Sequence, residues 1–189
     1  MKRSLFIIFI LIGQLTVVNA QKTVGGVTMP KKVMIGKTIL NLNGAGVREK
    51  FWMDMYACAL YVKKNTSDAG QIINADEHAS IKIQIISSLI SSKKMVDAVE
   101  EGFKKSTNDK TKPIRKQIDM FEAVFSKEEI KEGDIYDIVY VPEKGVVIFK
   151  NGKIQPIIEG LDFKIALFGI WLGDKPADDD LKEALLGKD

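Results

Sequence analysis

The residues best placed to do chemistry lie in one stretch, NGAGVREKFWMDMYACALYVK, residues 43–63. Gly44 and Gly46 predict a turn that delivers a single arginine, Arg48, to the mouth of a strand over residues 51–62. If strand alternation is carried back through Arg48, the side chains of Arg48, Trp52, Asp54 and Tyr56 share one face. A guanidinium offers paired donors and a phenol one more, so Arg48 and Tyr56 together can hold a carboxylate. The same spacing allows a plainer outcome, in which Arg48 pairs with Asp54 or a nearby carbonyl and closes the sheet.

Few rival sites survive an inventory of the chain. His78 is the only histidine and sits in the polar run Asp76-Glu77-His78, so no two-histidine metal site can form within one chain. Cys58 is the only cysteine; it can form no internal disulfide and has no persuasive histidine partner, which makes it a small buried hydrophobe. There is no GxGxxG and no phosphate-loop lysine motif, and Gly44-Ala45-Gly46 alone carries no phosphate site. Neither a metal nor a cofactor is expected.

The elements that must position Arg48 and Tyr56 follow from the pattern of the whole chain. Its 189 residues, 46% hydrophobic and 28% charged, suit one globular domain. Residues 1–20 stand apart: Lys2 and Arg3 precede an apolar run, and Val18-Asn19-Ala20 resembles a signal-peptidase site. A mature chain from Gln21 in the periplasm or outside the cell is the expectation, with residues 21–189 as the single domain. Loss of Lys2 and Arg3 would leave 26 basic against 25 acidic residues, a net charge of +1. That balance gives no case for nucleic acid. No stretch beyond the signal is apolar enough to span a membrane, and a monomer is expected.

Short strands are predicted at 24–29, 33–35 and 38–42, punctuated by Gly25-Gly26, Pro30 and Gly36. The strand over 51–62 is apolar on both faces, as in a central strand covered on two sides. Asp68 can cap a short helix, Ile81, Ile83 and Ile85 alternate with Lys82 and Gln84 in a half-exposed strand, and Ser91 or Ser92 starts an amphipathic helix with Val96, Val99 and Phe103 on its core stripe. Pro113 opens another helix, and Ser126 with Glu129 fits a capping box for a further turn. Strands then return over 134–141, 146–150 and 153–158, the last two joined by the hairpin signal Asn151-Gly152. Asp162 is positioned to cap a nearly all-apolar helix that stops at Gly173, and residues 178–180 begin a final short helix. Strands, helices, a meander and helices again predict an α+β domain with a mainly antiparallel sheet.

Several separated motifs in this order resemble the bacterial chalcone isomerase-like domain: VGGVTMP (24–30), LNGAGVR (42–48), ALYV (59–62), FEAVF (121–125) and IALFGIWLGDKP (165–176). The resemblance implies an open-faced β-sandwich, a large antiparallel sheet layered with helices, with a ligand cleft between them. That family holds enzymes that close a chalcone into a flavanone and related non-enzymatic proteins that bind fatty acids. In the enzymes an arginine after the glycine turn binds and activates the substrate, and Arg48 matches it. Tyr56 stands where they carry a threonine, the intervening loop is shorter, and Ser91 and Ala98 fall where they carry a tyrosine and an asparagine. One retained arginine against three departures speaks against chalcone isomerisation. The resemblance therefore implies the fatty-acid-binding branch, whose arginine and tyrosine hold the carboxylate. On that reading Arg48 and Tyr56 form the polar end of the pocket, with Trp52, Phe121, Phe125 and Phe168 as its apolar wall. Two alternatives stay open: an intramolecular lyase or isomerase with Arg48 as electrophile and Tyr56 as proton donor, and a structural or accessory protein whose cleft is filled by its own side chains.

Overall fold

The structure is a computed structural model that describes residues 21–188; the expected export signal over 1–20 lies outside the described residues. A small hairpin of β1 (Lys22–Val24) and β2 (Val27–Met29) precedes β3 (Lys32–Ile35), β4 (Thr38–Lys50) and β5 (Met53–Val62). Then come α1 (Ala69–Asn74), β6 (Ala79–Ile85), α2 (Ser92–Ser106) and, after one 3-10 turn, α3 (Arg115–Ser126). The chain closes with β7 (Ile135–Val141), β8 (Gly145–Lys150), β9 (Lys153–Ile154), α4 (Leu161–Leu172) and α5 (Asp179–Leu185). Strands β3 to β9 pair in sequence order as one seven-stranded antiparallel sheet. The helices pack on one of its faces, which is the α+β architecture expected from the order of elements.

The central strand is buried on both sides, for the reason its apolar alternation implies. Tyr56, Cys58, Leu60 and Val62 face the helices and join the main core. Ala57, Ala59 and Tyr61 face the other way, into a smaller core with Val27, Met29, Leu40 and Ala45, so the N-terminal hairpin covers that face. The helix-side core is rich in aromatic contacts: Phe103 stacks on Phe163 at 5.6 Å, and Phe121 meets Phe125 edge-on at 5.2 Å.

Gly44 and Gly46 make no turn. They lie within the long strand β4, whose chain reverses only after Lys50, at Phe51 and Trp52. Their role is to let α5 lie against the sheet. A Cβ on Gly44 would sit 2.0 Å from the Ala184 carbonyl oxygen, and one on Gly46 would sit 2.7 Å from the Ala184 Cβ. The expected strand over 51–62 is shortened correspondingly to β5.

Caps decide the other differences. Asp68, Ser91 and Asp178 cap α1, α2 and α5 through their side chains, each accepting a bond from the backbone N–H three residues on. Asp162, by contrast, lies in the first turn of α4, and the capping position belongs to Gly160, whose φ of 110° suits glycine. Ser126 ends α3 and starts no further turn; its hydroxyl donates back to the Ala123 carbonyl. Beyond β9 only a single bridge, Val146 to Ile158, continues the expected last strand.

Helix α4 is apolar all round and almost entirely buried, with one exception that the apolar pattern hides. Lys164 is fully buried, and its ammonium donates to the carbonyls of Ile72, Ile73 and Ala75 at 2.8 Å each. It thereby closes the C-terminal end of α1 from a distant helix. Burial pushes its pKa down to about 8, against a smaller opposing pull from Asp76.

Candidate functional site

Between the helix-facing side of the sheet and helices α2, α3 and α4 lies a cavity of about 510 Å³. That is the size range, about 300–1,000 Å³, in which small-molecule sites fall. Its deep wall is apolar: Ile83, Met95, Val99, Phe121, Phe125 and Ile170. Arg48 and Tyr56, from β4 and β5, and Trp171, from α4, bring polar groups to one side of it, and the charged residues Lys50, Lys94, Asp97, Glu101 and Lys105 also border it.

Arg48 and Tyr56 do meet, by a different route from the one their spacing suggests. The chain turns between them, so they are neighbours across two antiparallel strands, with Arg48 opposite Tyr56 in the register. A bulge immediately after Arg48 then shifts Glu49 opposite Asp54. Asp54 ends exposed, and the carboxylate that pairs with Arg48 is a different one.

The partner of Arg48 is Asp178, at the start of α5, whose Oδ2 lies 2.9 Å from Nη1. The Glu49 carbonyl also accepts from Nη1, and Glu49 N–H donates to the same Asp178 oxygen at 3.3 Å. Among the described residues the bonds of Arg48 leave from Nη1, so toward these residues Nε and Nη2 keep their donors while the residue lines the cavity.

Tyr56 is buried, and its hydroxyl oxygen accepts a bond from Trp171 Nε1 at 3.0 Å. The hydroxyl proton is therefore left to donate. Burial raises the Tyr56 pKa far above the phenol range; the Trp171 bond and the Arg48 charge lower it only in part. At any ordinary pH Tyr56 is thus a neutral hydrogen-bond donor. Burial likewise pushes the Cys58 thiol up, which keeps it an unreactive core residue.

Phe121 and Phe125 border the cavity, but Trp52 and Phe168 do not. Trp52 occupies the turn between β4 and β5, where the reversal of the chain swings it out of the strand face and into solvent. Phe168 is fully buried on another side of α4, its ring 5.1 Å from the Lys164 ammonium. Ala98 lines the cavity and offers only a methyl group, while the Ser91 hydroxyl caps α2.

Three contributors went unread in the sequence. Trp171 falls within a helix whose nearly all-apolar pattern marks no polar group, and Met95 sits beside the predicted stripe of α2. Asp178 reads as part of a helix start, and no local signal reveals its contact with an arginine 130 residues away. Among the described residues no group of histidine, cysteine or acidic side chains could hold a metal ion, and no helix is long and apolar enough to cross a membrane.

A family model described as chalcone isomerase-like matches residues 21–187. Among solved structures, the chain is similar to an Arabidopsis thaliana fatty-acid binding protein, with a TM-score of 0.68 and 18% sequence identity over 86% of this chain and 92% of that one. At this identity the likeness speaks to the fold. No curated protein matches the sequence.

Proposed function

This chain belongs to the chalcone isomerase-like family, and from that premise we propose that it binds a fatty acid or similar apolar carboxylate, without turning it over, in the cavity between sheet and helices. The observation that carries the reading is the cavity itself: about 510 Å³, apolar in its depth, with Arg48 and Tyr56 together at its polar end. The spare donors of Arg48 and the proton of Tyr56 would face the carboxylate, and the alkyl chain would run toward Phe121 and Phe125. Charged hydrogen bonds of this kind contribute about 1.5–3 kcal/mol. Each buried methylene adds about 0.8 kcal/mol, so the chain supplies most of the affinity. A structural relative described as a fatty-acid binding protein is consistent with this. The proposal includes export, on the pattern of residues 1–20.

Proton transfer is most efficient from a group that titrates near the operating pH. Burial holds Tyr56 far from that range, and Ser91 and Ala98 supply no substitute. Binding is therefore the better supported reading.

The test is native extraction of purified protein followed by mass spectrometry of whatever is released. Recovery of fatty acid, reduced in an Arg48→Ala variant, is expected. Recovery of no lipid, together with equal fatty-acid binding by wild type and Arg48→Ala, would overturn the proposal. Turnover of a chalcone or related enone that Arg48→Ala abolishes would replace it with the isomerase.

A further inference from the structure

Helix α4 meets the cavity through Ile170 and Trp171, and the indole Nε1–H of Trp171 is the polar side-chain group it brings there. An indole nitrogen donates a hydrogen bond and cannot accept one. Trp171 is buried in the last turn of the helix, where a donor left without an acceptor would forfeit the bond it made to water. Its acceptor is the Tyr56 oxygen, 3.0 Å away on β5.

The direction of this bond is forced, and it constrains Tyr56. A phenol carries one proton and can both donate and accept. Because Trp171 cannot accept, the Tyr56 proton is excluded from that side of its oxygen. Among the described residues no acceptor takes the proton. The Asp178 carboxylate, whose charge reaches Tyr56, is already engaged: Oδ2 accepts from Arg48 and from Glu49 N–H, and Oδ1 accepts from Leu181 N–H. Tyr56 is therefore offered to the cavity as a donor, beside the N–H groups of Arg48.

We propose that Trp171 is a positioning residue for the polar end of the ligand: by donating to the Tyr56 oxygen it turns the phenol proton toward the cavity, and so selects a carboxylate over an alcohol of the same chain length. This inference rests on the carboxylate-binding reading of the cavity and adds to it the side chain that sets the head-group preference. With the indole N–H removed, the Tyr56 hydroxyl can rotate, and it accepts from an alcohol as readily as it donates to a carboxylate. Arg48 still draws the anion by its charge, so only the share of the preference carried by Tyr56 is lost.

The experiment titrates a long-chain saturated acid and the matching primary alcohol into purified, delipidated protein at a pH where the acid is ionised. It compares wild type, Trp171→Phe, Tyr56→Phe and the double variant. Trp171→Phe keeps an aromatic ring and removes the N–H. The ratio of acid to alcohol affinity should fall about fivefold in Trp171→Phe, the worth of one neutral hydrogen bond. It should fall no further when Trp171→Phe is added to Tyr56→Phe, because Trp171 acts through that hydroxyl. If Trp171 only fills space, both ligands weaken together and the ratio holds, which overturns the proposal. An equal fall of the ratio in the Tyr56→Phe background overturns it too, since Trp171 would then act without the hydroxyl. Should Trp171→Phe not fold, Tyr56→Phe carries the test through the indole N–H proton resonances. That of Trp171 should move upfield on losing its acceptor while that of the exposed Trp52 stays in place, and an unmoved Trp171 resonance overturns the proposal. Failure of wild type to bind the acid defeats the carboxylate-binding reading and the positioning role together, whereas acid binding with an unchanged ratio defeats the positioning role alone.

Discussion

The carboxylate of Asp178 lies 2.9 Å from Nη1 of Arg48, so the cation at the polar end of the cavity is already paired within the protein. The other oxygen of Asp178 caps α5 by accepting from Leu181 N–H at 2.9 Å. One side chain therefore ties the last helix to the strand that carries Arg48. Under the proposed function, an arriving carboxylate would meet an arginine whose charge is partly answered by Asp178.

Asp178→Asn should separate these two roles. Asparagine caps helices as well as aspartate does, so the melting temperature should change little. Loss of the negative charge frees Arg48 and should tighten fatty-acid binding by about 1 kcal/mol, roughly fivefold, a figure kept small because the pair is partly exposed. The methyl ester of the same acid carries no charge and should bind both proteins equally. Titration of both ligands into both proteins measures this; an equal gain for acid and ester would show that Asp178 acts by shape.

The glycines of β4 yield a second prediction. Gly44→Ala would place a methyl against the Ala184 backbone oxygen, an obstacle no rotamer change can remove. The helix must lift, at a cost of about 1–3 kcal/mol in thermal or chemical denaturation. Gly46→Ala meets the Ala184 methyl instead. Ala184→Gly should therefore recover part of the loss in Gly46→Ala and little of that in Gly44→Ala.

Lys164 makes stability depend on alkaline pH. Its pKa falls from 10.5 to about 8 on folding, so between those values the unfolded chain binds more protons than the folded one. Stability should rise with pH across that window and level off above it. Lys164→Met should remove the rise. It should also cost about 2–4 kcal/mol near neutral pH, because three carbonyls lose their donor. Urea denaturation at a series of pH values reads both effects.

Much of this fold was legible because it depends on short-range pattern. The alternation around Ile81, Ile83 and Ile85 gave β6, Asn151-Gly152 gave its hairpin, and Asp68 and Ser91 gave helix starts. The two apolar faces of β5 correctly implied cover on both sides. The site was legible only in part. Gly44 and Gly46 look like a turn because local chemistry cannot show a helix from the far end of the chain pressing on them. That error displaced the reversal to the wrong residues and put Trp52 on the cavity wall, whereas Arg48 and Tyr56 still met because a hairpin pairs them across strands. Phe168 stands on the expected pocket wall only through the family resemblance, and a helix buried all round gives no sign of which side faces a cavity.

The most direct test is calorimetric titration of a long-chain saturated fatty acid into purified, delipidated protein, in parallel with Arg48→Gln and with the methyl ester as control. A saturable one-to-one isotherm is predicted, weakened about tenfold in Arg48→Gln for the acid and unchanged for the ester, as loss of a charged hydrogen bond requires. The absence of saturable binding, or an acid affinity that Arg48→Gln leaves unaltered, would contradict a carboxylate site at Arg48 and Tyr56.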